Sequence, residues 1–432
     1  AVTVYAGGLV FQQVFGIKEL WGIDFFWIAA IGLVVLTALY TIFGGMKSVL
    51  YTSVLQTPIL LLGSLIILVL GFKELGGWDE MMRVCGAVTV NDYGDTMTNL
   101  IRSNDDANFP WLGALIGSAI IGFWYWCTDQ FIVQRVLSGK NEMEARRGTI
   151  FGAYLKLLPV FLFLIPGMIA FALHQKYIGA GGEGFLPMLA NGTANADAAF
   201  PTLVAKLLPA GVKGLVVCGI LAALMSSLAS LFNSSAMLFT IDFYKRFKPE
   251  TPEKKLVGIG QIATIVIVVL GILWIPIMRS VGDVLYTYLQ DVQSVLAPGI
   301  AAAFLLGICW KRTSAQGGMW GLISGMVIGL TRLGAKVYYS NAGEVADSTF
   351  KYLFYDMNWL FFCGWMFLFC IIVVIVVSLA TEAPTAEKIQ GLVFGTATKE
   401  QKAATRASWN HWDIIHTVII LAITAAFYWY FW

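Results

Sequence analysis

The sequence has 432 residues, of which 58% are hydrophobic and only 12% are charged, and its mean hydropathy is +0.75. Soluble globular domains carry about 25% charged residues, so this composition excludes an ordinary soluble domain and predicts a polytopic membrane protein. The formal net charge of +2 excludes no class of protein, but the placement of the basic residues is informative.

Long apolar runs occur along the whole chain. A helix needs roughly 20 predominantly apolar residues to cross the hydrocarbon core of a bilayer. Eleven runs are candidates: 1–16, 23–44, 47–72, 110–136, 147–174, 211–244, 256–278, 283–309, 314–337, 353–380 and 411–432. The first is too short to span and begins at Ala1 without an initiator Met, so we expect a segment N-terminal to it to be missing.

Lysine and arginine concentrate in every second connection between these runs. The basic connections lie near 135–147, 245–255, 311–312 and 388–406. Because cytoplasmic loops of membrane proteins are enriched in Lys and Arg, we expect these connections to face the cytoplasm. The longer acidic segments 73–109 and 175–210, and the C-terminal Trp432, are then predicted to face outside.

The candidate span 110–136 contains an aromatic run, Gly122-Phe-Trp-Tyr-Trp-Cys-Thr-Asp-Gln130. Indole and phenol rings offer flat faces for the C–H groups of a sugar, and Asp129 offers polar edges for its hydroxyls. An aromatic belt at the membrane surface is the alternative, because indoles favour the headgroup level. The charge pattern, however, places Tyr125 about 15 Å along a helix from the cytoplasmic end, near the midplane. Gly122 would permit local unwinding there, as in the broken helices of transporters.

Lys156 stands about ten residues into the candidate span 147–174. A charged side chain at the centre of a membrane helix costs about 2.5 to 3.5 kcal/mol on insertion scales, so it usually faces a cavity or a partner. The alternative is snorkelling to the cytoplasmic surface, which roughly 15 Å of helix makes strained. We expect Lys156 to be buried and functional.

The candidate span 211–244 is dense in Ala and Ser, and such density allows close packing of helices. Adjacent Ser226 and Ser227, with the carbonyl of Ala223 one turn earlier, also present hard oxygen atoms on one side of the helix. These oxygens suit a small hard cation such as Na⁺. On this run alone, helix packing and a sodium site both remain open.

The candidate span 283–309 begins with a polar face. Tyr286, Gln290 and Gln293 lie at spacings of four and three, on one side of a helix. The amide of Gln both donates and accepts hydrogen bonds, as recognition of a sugar hydroxyl requires. Contact of the helix end with lipid headgroups explains this polar face equally well.

Taken together, these residues resemble the sodium:solute symporter family, and specifically its sodium/sugar branch. The resemblance is collinear and runs along most of residues 1–340. It rests on Phe123-Trp-Tyr-Trp-Cys-Thr-Asp-Gln130, Ile132-Val-Gln-Arg135, Gly152-Ala-Tyr-Leu-Lys156, Leu224-Met-Ser-Ser-Leu-Ala-Ser230 and Pro298-Gly-Ile-Ala301.

The resemblance implies an all-α polytopic membrane protein with the five-helix inverted-repeat transporter fold and accessory helices. The implied ranges are 1–72 for the remainder of the first repeat, 73–109 for an extracellular loop, 110–309 for the second repeat with the substrate and sodium sites, and 310–432 for accessory transmembrane helices. The spans seen here look like the last eleven of the family, so we do not expect these residues to transport without the upstream helices.

Carried over by position, the resemblance implies a role for each candidate residue. The implied substrate-binding residues are Tyr125, Trp126, Asp129, Lys156, Tyr286 and Gln290, and the implied sodium ligands are Ala223, Ser226 and Ser227. Tyr125 would stack on the sugar ring and close the inner gate, and Trp126 would form a wall of the pocket. Lys156 and Gln290 would bind sugar hydroxyls, and Tyr286 would be an aromatic of the outer gate. Asp129 would lie near the inner exit.

Two positions depart from the family pattern. Gly122 stands where a galactose transporter of the family carries a sugar-binding Asn, which leaves the identity of the sugar open. Ser53 stands where many members carry an Asp that is thought to serve a second sodium site or sodium transit. We therefore expect one Na⁺ to move with each sugar.

The sequence thus predicts a secondary active sodium/sugar symporter of the plasma membrane that imports a hexose such as glucose or galactose by alternating access. Its expected partners are the sugar, Na⁺ and the lipid bilayer, and no nucleic acid is expected. A sodium-coupled inositol or polyol carrier is the alternative within the family. A transport-dead sensor or channel on the same fold is the alternative from another class, and an enzyme is not predicted.

Overall fold

The structure, a computed structural model, describes residues 2–189, 192–276, 285–342 and 346–431. Within these ranges it describes all side chains except those of residues 40, 42–49, 52, 285, 287, 288 and 341. Ala1, Trp432 and the facing ends of the predicted spans 256–278 and 283–309 lie outside the described residues.

Helices account for most of the described residues. In chain order they are α1 (Val2–Phe15), α2 (Phe25–Leu75), α3 (Trp78–Gly86), α4 (Trp111–Phe123), α5 (Gln130–Leu137), α6 (Glu142–Pro159), α7 (Ile165–Gly179), α8 (Ala199–Leu207), α9 (Ala210–Met237), α10 (Lys245–Phe247), α11 (Glu253–Leu273), α12 (Leu285–Cys309), α13 (Ala315–Asn341), α14 (Thr349–Lys351), α15 (Trp359–Ala380), α16 (Ala386–Ile389), α17 (Lys399–Ala407) and α18 (His411–Tyr430). Two short strands, β1 (Glu19–Leu20) and β2 (Ile23–Asp24), pair antiparallel between α1 and α2.

Four of the described segments have the wider turn of a π-helix: Trp124–Thr128, Val160–Leu164, Leu238–Tyr244 and Tyr352–Asp356. Each follows an α-helix directly. Because π-helical turns are rare and are frequent at functional sites, the first of them, in the aromatic run, is of particular interest.

Eight helical stretches among the described residues are long and apolar enough to cross a membrane. They are Ser53–Leu75, Trp111–Thr128, Glu142–Gly179, Ala210–Phe247, Glu253–Leu273, Leu289–Cys309, Trp359–Ala380 and His411–Tyr430. Val2–Phe15 and Phe25–Leu39 are shorter apolar helices. α13, the predicted span 314–337, has 27 residues but is less apolar than these eight.

The predicted spans 23–44 and 47–72 form one helix of 51 residues, α2, rather than two separate helices. The boundary expected between them contains Gly44, the last residue of the first span, and Gly45, but no Pro. A glycine within a helix costs only about 1 kcal/mol relative to Ala, which is too little to force a break. Pro58 also lies within the helix.

One compact unit, called the first unit below, is made of residues 1–90, 96–98 and 155–279. In it α9 packs along α2, and small residues allow the two backbones to approach closely. A Cβ atom on Gly63 would lie 2.7 Å from Val216 Cγ2, and one on Gly219 would lie 3.1 Å from Ile59 Cγ2. Larger side chains at either glycine would push α9 away from α2.

The other compact unit, called the second unit below, is made of residues 91–95, 99–154 and 280–432. In it α12, α13 and α15 pack against one another, and α4 packs on α12 and α15. A Cβ atom on Gly325 would lie 3.0 Å from Gly299 Cα, so α13 approaches α12 through glycine. The predicted repeat ranges describe internal repeats rather than packing, and they stay a prediction.

Candidate functional site

The aromatic run lies at the end of a membrane span, where the helix is interrupted. Residues Trp124–Thr128 form a π-helical turn, and Thr128 Oγ1 donates to the carbonyl of Trp124 at 2.7 Å. Asp129 then adopts an extended conformation, with φ −72° and ψ 119°. The interruption was expected at Gly122, but Gly122 is helical and belongs to α4. The irregularity instead falls on the π-helical turn Trp124–Thr128 and on the extended Asp129.

The three adjacent aromatic side chains of this turn contact one another. The ring centroids of Trp124 and Tyr125 lie 6.2 Å apart, and those of Tyr125 and Trp126 lie 5.1 Å apart with their planes at 89°. Tyr125 is half-buried, whereas Trp126 is 50% exposed. The turn therefore presents aromatic surface that is accessible to a ligand.

Asp129 has a structural role that the sequence did not reveal. Its side chain accepts a hydrogen bond of 3.0 Å from the backbone N–H of Phe131, which makes Asp129 the N-cap of α5. Capping satisfies an otherwise unpaired donor at the start of a helix and typically contributes about 1 kcal/mol. The predicted role of Asp129 in substrate binding stays a prediction beside this one.

Gln290 and Tyr286 are joined by a hydrogen bond, as their spacing of four residues on α12 allows. Gln290 Nε2 donates to Tyr286 Oη at 2.8 Å, and the Tyr286 ring lies 6.5 Å from that of Phe109. Tyr286 is 55% exposed and Gln290 is half-buried. This bond uses one of the four hydrogen-bonding positions of the Gln amide.

The helix that carries Gln290 also packs against the aromatic turn within the second unit. Ile120 and Ile121 of α4 form a buried cluster with Ala297 and Ala301 of α12, and Trp124 packs against this cluster. The structure therefore brings the aromatic turn and the polar face of α12 into one packed assembly.

An ionic cluster next to Gln290 was missed by the sequence reasoning. Asp291 accepts from Lys336 at 2.6 Å through Oδ2 and from Arg332 at 3.4 Å through Oδ1. Arg332 is fully buried, donates to the carbonyl of Met357 at 2.8 Å and lies 4.1 Å over the Phe362 ring. The sequence did contain a signal for this cluster, because two basic residues, Arg332 and Lys336, lie one helical turn apart in an otherwise apolar run.

The candidate sodium ligands lie on α9 in the first unit. Ser226 is 8% exposed, and Ala223 and Ser227 are half-buried. Ser226 Oγ and Ser53 Oγ share a hydrogen bond of 2.6 Å, so the structure places Ser53 of α2 directly beside the candidate site. Ser230 is fully buried and donates to the carbonyl of Ser226 at 3.0 Å. Together these residues concentrate hydroxyl and carbonyl oxygens at one place between two helices.

Lys156 lies in the last turn of α6, just before the π-helical segment Val160–Leu164. Its side chain is exposed, so the expected burial was wrong. Lys156 belongs to an exposed face of α6 that also includes Phe151, Gly152 and Leu158. Its predicted contact with sugar hydroxyls stays a prediction.

The characteristic sequence pattern of the Sodium:solute symporter family matches residues 1–325. The chain belongs to this family. The matched range includes every candidate site residue, from Tyr125 to Gln290.

Similar proteins of the family carry several different substrate names. The chain is 35% identical over 407 residues to Sodium/myo-inositol cotransporter 2 of Homo sapiens, an alignment that covers 92% of this chain and 59% of the relative. It is 34% identical over 452 residues to a sodium/mannose cotransporter of Bos taurus, covering 100% of this chain and 74% of the relative. It is 34% identical over 407 residues to Sodium/glucose cotransporter 4 of Mus musculus, covering 92% and 58%. The chain thus spans less than two thirds of the length of two of these relatives.

A solved structure has the same fold. It is a Na⁺-coupled sialic acid symporter in a substrate-bound outward-open state, with a TM-score of 0.64 and 21% sequence identity. The superposition covers 89% of this chain and 73% of that one. This likeness confirms the predicted class, an all-α polytopic membrane protein with the inverted-repeat transporter fold. The chain is therefore a multi-pass membrane protein of a transporter family rather than an enzyme, and sodium is the coupling ion of that family.

Proposed function

We propose that the protein is a secondary active sodium/hexose symporter of the plasma membrane, which imports a sugar such as glucose or galactose by alternating access. The observation that carries the proposal is the family match over residues 1–325, which contains the whole candidate site. The described geometry supports it at two places, the oxygen-rich contact of α9 with α2 and the interrupted aromatic span.

Sodium would bind on α9. The carbonyl of Ala223 and the hydroxyls of Ser226 and Ser227 are hard oxygen ligands, as Na⁺ requires, and Ser226 is already buried. In this proposal Na⁺ takes the place of Ser53 as the partner of the Ser226 hydroxyl, which lies 2.6 Å from the Ser53 hydroxyl in the structure. The exchange would link sodium binding to the contact between α2 and α9.

The sugar would bind at the aromatic turn and α12. Tyr125 would stack on the sugar ring, and Trp126, which meets it edge to face, would form a wall of the pocket. Gln290 would exchange its bond to Tyr286 for sugar hydroxyls, which gives Tyr286 a natural role as a gate. Lys156 as a further hydroxyl donor and Asp129 near the exit rest on the family resemblance alone.

Alternating access would couple the two ligands thermodynamically. If Na⁺ and sugar both favour the same conformation, each raises the affinity of the other by the same factor. The π-helical and extended residues after Phe123 supply a break at which the inner end of the span can move, as do the discontinuous helices of secondary transporters.

A sodium-coupled myo-inositol carrier is an equally supported alternative. The relative with 35% identity is named for myo-inositol, and others at 34% are named for mannose and glucose. Stacking on Tyr125 does not discriminate between a hexose and a cyclic polyol, because both present C–H faces and ring hydroxyls.

Uptake of labelled substrates into proteoliposomes that contain the full-length protein tests the proposal. We expect uptake of glucose or galactose that requires external Na⁺ and falls when Tyr125→Ala removes the stacking surface. Sodium-dependent uptake of myo-inositol without uptake of hexoses would replace the sugar proposal by the polyol one. Binding of sugar without any sodium-dependent uptake would favour a sensor.

A further inference from the structure

A groove of about 650 Å³ lies in the second unit between the first turns of α6 and α18. This volume is within the range of small-molecule sites, about 300 to 1,000 Å³. The groove lies apart from the aromatic turn, and none of the candidate substrate or sodium residues lines it.

The two helices that form the groove begin side by side. Arg146 Nη2 on α6 donates to Ser408 Oγ, just before α18, at 3.2 Å. Farther along, Tyr154 Oη on α6 lies 3.0 Å from His416 Nδ1 on α18. Both helices follow basic connections, which places their first turns on the predicted cytoplasmic side of the membrane.

One end of the groove is charged. Arg146 and Glu142 lie one helical turn apart on α6 and both line it. Arg146 Nε is buried, and among the described residues it has no hydrogen-bond partner. A guanidinium with an unsatisfied N–H is suited to a phosphate, which it binds with charge-assisted hydrogen bonds. Asp413 also lines the groove, but its carboxylate accepts from the backbone of Asn410 at 2.8 Å as part of a helix cap.

The other end of the groove is apolar. Ile150 of α6 and Ile414 and Val418 of α18 line it, and the last two are 51% and 57% exposed. Trp409 lies at the start of α18, where an indole would sit at the headgroup level. Charge at the surface and apolar walls toward the membrane interior match the order of groups along a phospholipid molecule.

We propose that this groove binds a phospholipid with an ethanolamine headgroup. Its phosphate lies at Arg146, its ammonium group lies at Glu142, and an acyl chain runs along Ile150, Ile414 and Val418. The acidic partner decides the headgroup: a glycerol headgroup would place hydroxyls, not a cation, beside the Glu142 carboxylate. This site does not depend on the proposed transport function.

Native mass spectrometry of the full chain in detergent micelles tests the site, with dioleoyl phosphatidylethanolamine and dioleoyl phosphatidylglycerol added in separate titrations. We expect the ethanolamine lipid to bind more tightly.

Arg146→Gln should weaken its binding about tenfold, the loss expected for a charge-assisted hydrogen bond. Glu142→Gln should remove the preference for ethanolamine. Arg147→Gln, at an exposed neighbouring position that does not line the groove, is the matched control and should bind both lipids as the unmodified chain does.

Ile414→Trp provides a second approach from α18, since a bulky side chain would fill the apolar end and lower lipid occupancy even if the Arg146 variant did not fold. The proposal would be overturned if the two lipids bound equally well and if neither Arg146→Gln nor Ile414→Trp weakened that binding. Tighter binding of phosphatidylglycerol would contradict the role of Glu142. Equal losses in the Arg146 and Arg147 variants would show general charge attraction to the surface and no groove site.

Discussion

Ser226 carries the proposed sodium coupling at the level of single residues. Its hydroxyl is buried and its one described side-chain partner is Ser53 at 2.6 Å, a neutral group from another helix. An Asp at residue 53 would bring a negative charge to this point, whereas Ser brings only a dipole. The proposed sodium site is therefore a neutral set of hydroxyl and carbonyl oxygens.

Ser226→Ala should raise the Na⁺ concentration for half-maximal sugar uptake by about tenfold, because it deletes one oxygen ligand of a charged group. The maximal rate at saturating Na⁺ should change less. Sodium titrations of labelled sugar uptake measure both quantities. Ser53→Ala is the matched control, since it breaks the same hydrogen bond and leaves the proposed ligand in place. An equal shift in both variants would assign the effect to the contact between α2 and α9 rather than to sodium.

Gln290→Glu should raise the KM for sugar while leaving the dependence on Na⁺ largely unchanged. The substitution keeps the shape of the side chain but removes its N–H donors, including the one that binds Tyr286. Gln293→Glu introduces the same change one turn farther along α12 and controls for the added charge. Uptake kinetics that change equally in both variants would contradict a specific role for Gln290.

At the level of secondary-structure elements, the ionic cluster of Asp291, Arg332 and Lys336 connects α12 to α13. Two cations share one carboxylate, and Arg332 is fully buried. Burial of ions is costly, so such a cluster is stable only while the partners remain together. Because Asp291 follows Gln290 directly, the cluster also fixes the position of the polar face of α12.

Asp291→Asn should lower the free energy of unfolding by about 3 to 5 kcal/mol, the usual cost of removing one partner from a buried ion pair. Chemical denaturation in mixed micelles measures it. A second substitution, Lys336→Met, should restore part of the loss because it removes one of the stranded cations. Asp347→Asn breaks the pair with Lys351, in which the carboxylate is 96% exposed, and should have little effect. Equal stability of the Asp291 and Asp347 variants would contradict the account.

The segment between α3 and α4 is stabilised by the buried carboxylate of Asp106. Burial of Asp106 works against its ionisation, but hydrogen bonds from the backbone N–H groups of Phe109 and Asn108 and the charge of Arg102 outweigh it, and the pKa of Asp106 lies below its usual value. A lowered pKa means that the ionised form stabilises the folded segment. This stabilisation is present above the ordinary Asp pKa of about 3.9 and is lost as the pH falls through the lower folded value.

Hydrogen exchange of the Asn108 and Phe109 amides, corrected for intrinsic rates, should therefore show protection that is constant near neutral pH and decreases below about pH 4. Asp106→Asn should lower the protection at neutral pH and abolish this acid transition. Asp105→Asn, at the exposed neighbour, should behave as the unmodified protein. A transition that persists in the Asp106 variant would show that another group controls the segment.

Parts of the fold and site were predictable from local patterns, and other parts depend on tertiary contacts. The spans could be located because apolar length is a local property, and the aromatic run was visible for the same reason. The partners of Asp291 lie more than 40 positions away on α13, so no local pattern could pair them. The continuity of α2 and the exposure of Lys156 likewise depend on the packing around them.

At the level of the whole molecule, we propose that the protein uses a sodium gradient to build a sugar gradient across the membrane. Ser53 brings a neutral hydroxyl rather than a carboxylate to Ser226, and the Ser230 hydroxyl donates to the backbone carbonyl of Ser226. We therefore predict that one Na⁺ moves with each sugar. Reversal potentials, or fluxes measured with two isotopes, give the ratio directly, and a ratio of two would contradict the assignment.

Accumulation of labelled sugar in proteoliposomes that contain the full-length protein, under an imposed Na⁺ gradient, tests the central proposal most directly. We predict that an inward Na⁺ gradient drives the internal sugar concentration above the external one, and that an equal K⁺ gradient or a sodium ionophore abolishes the excess. Internal sugar that never exceeds the external concentration, or that rises equally without Na⁺, would contradict sodium-coupled symport.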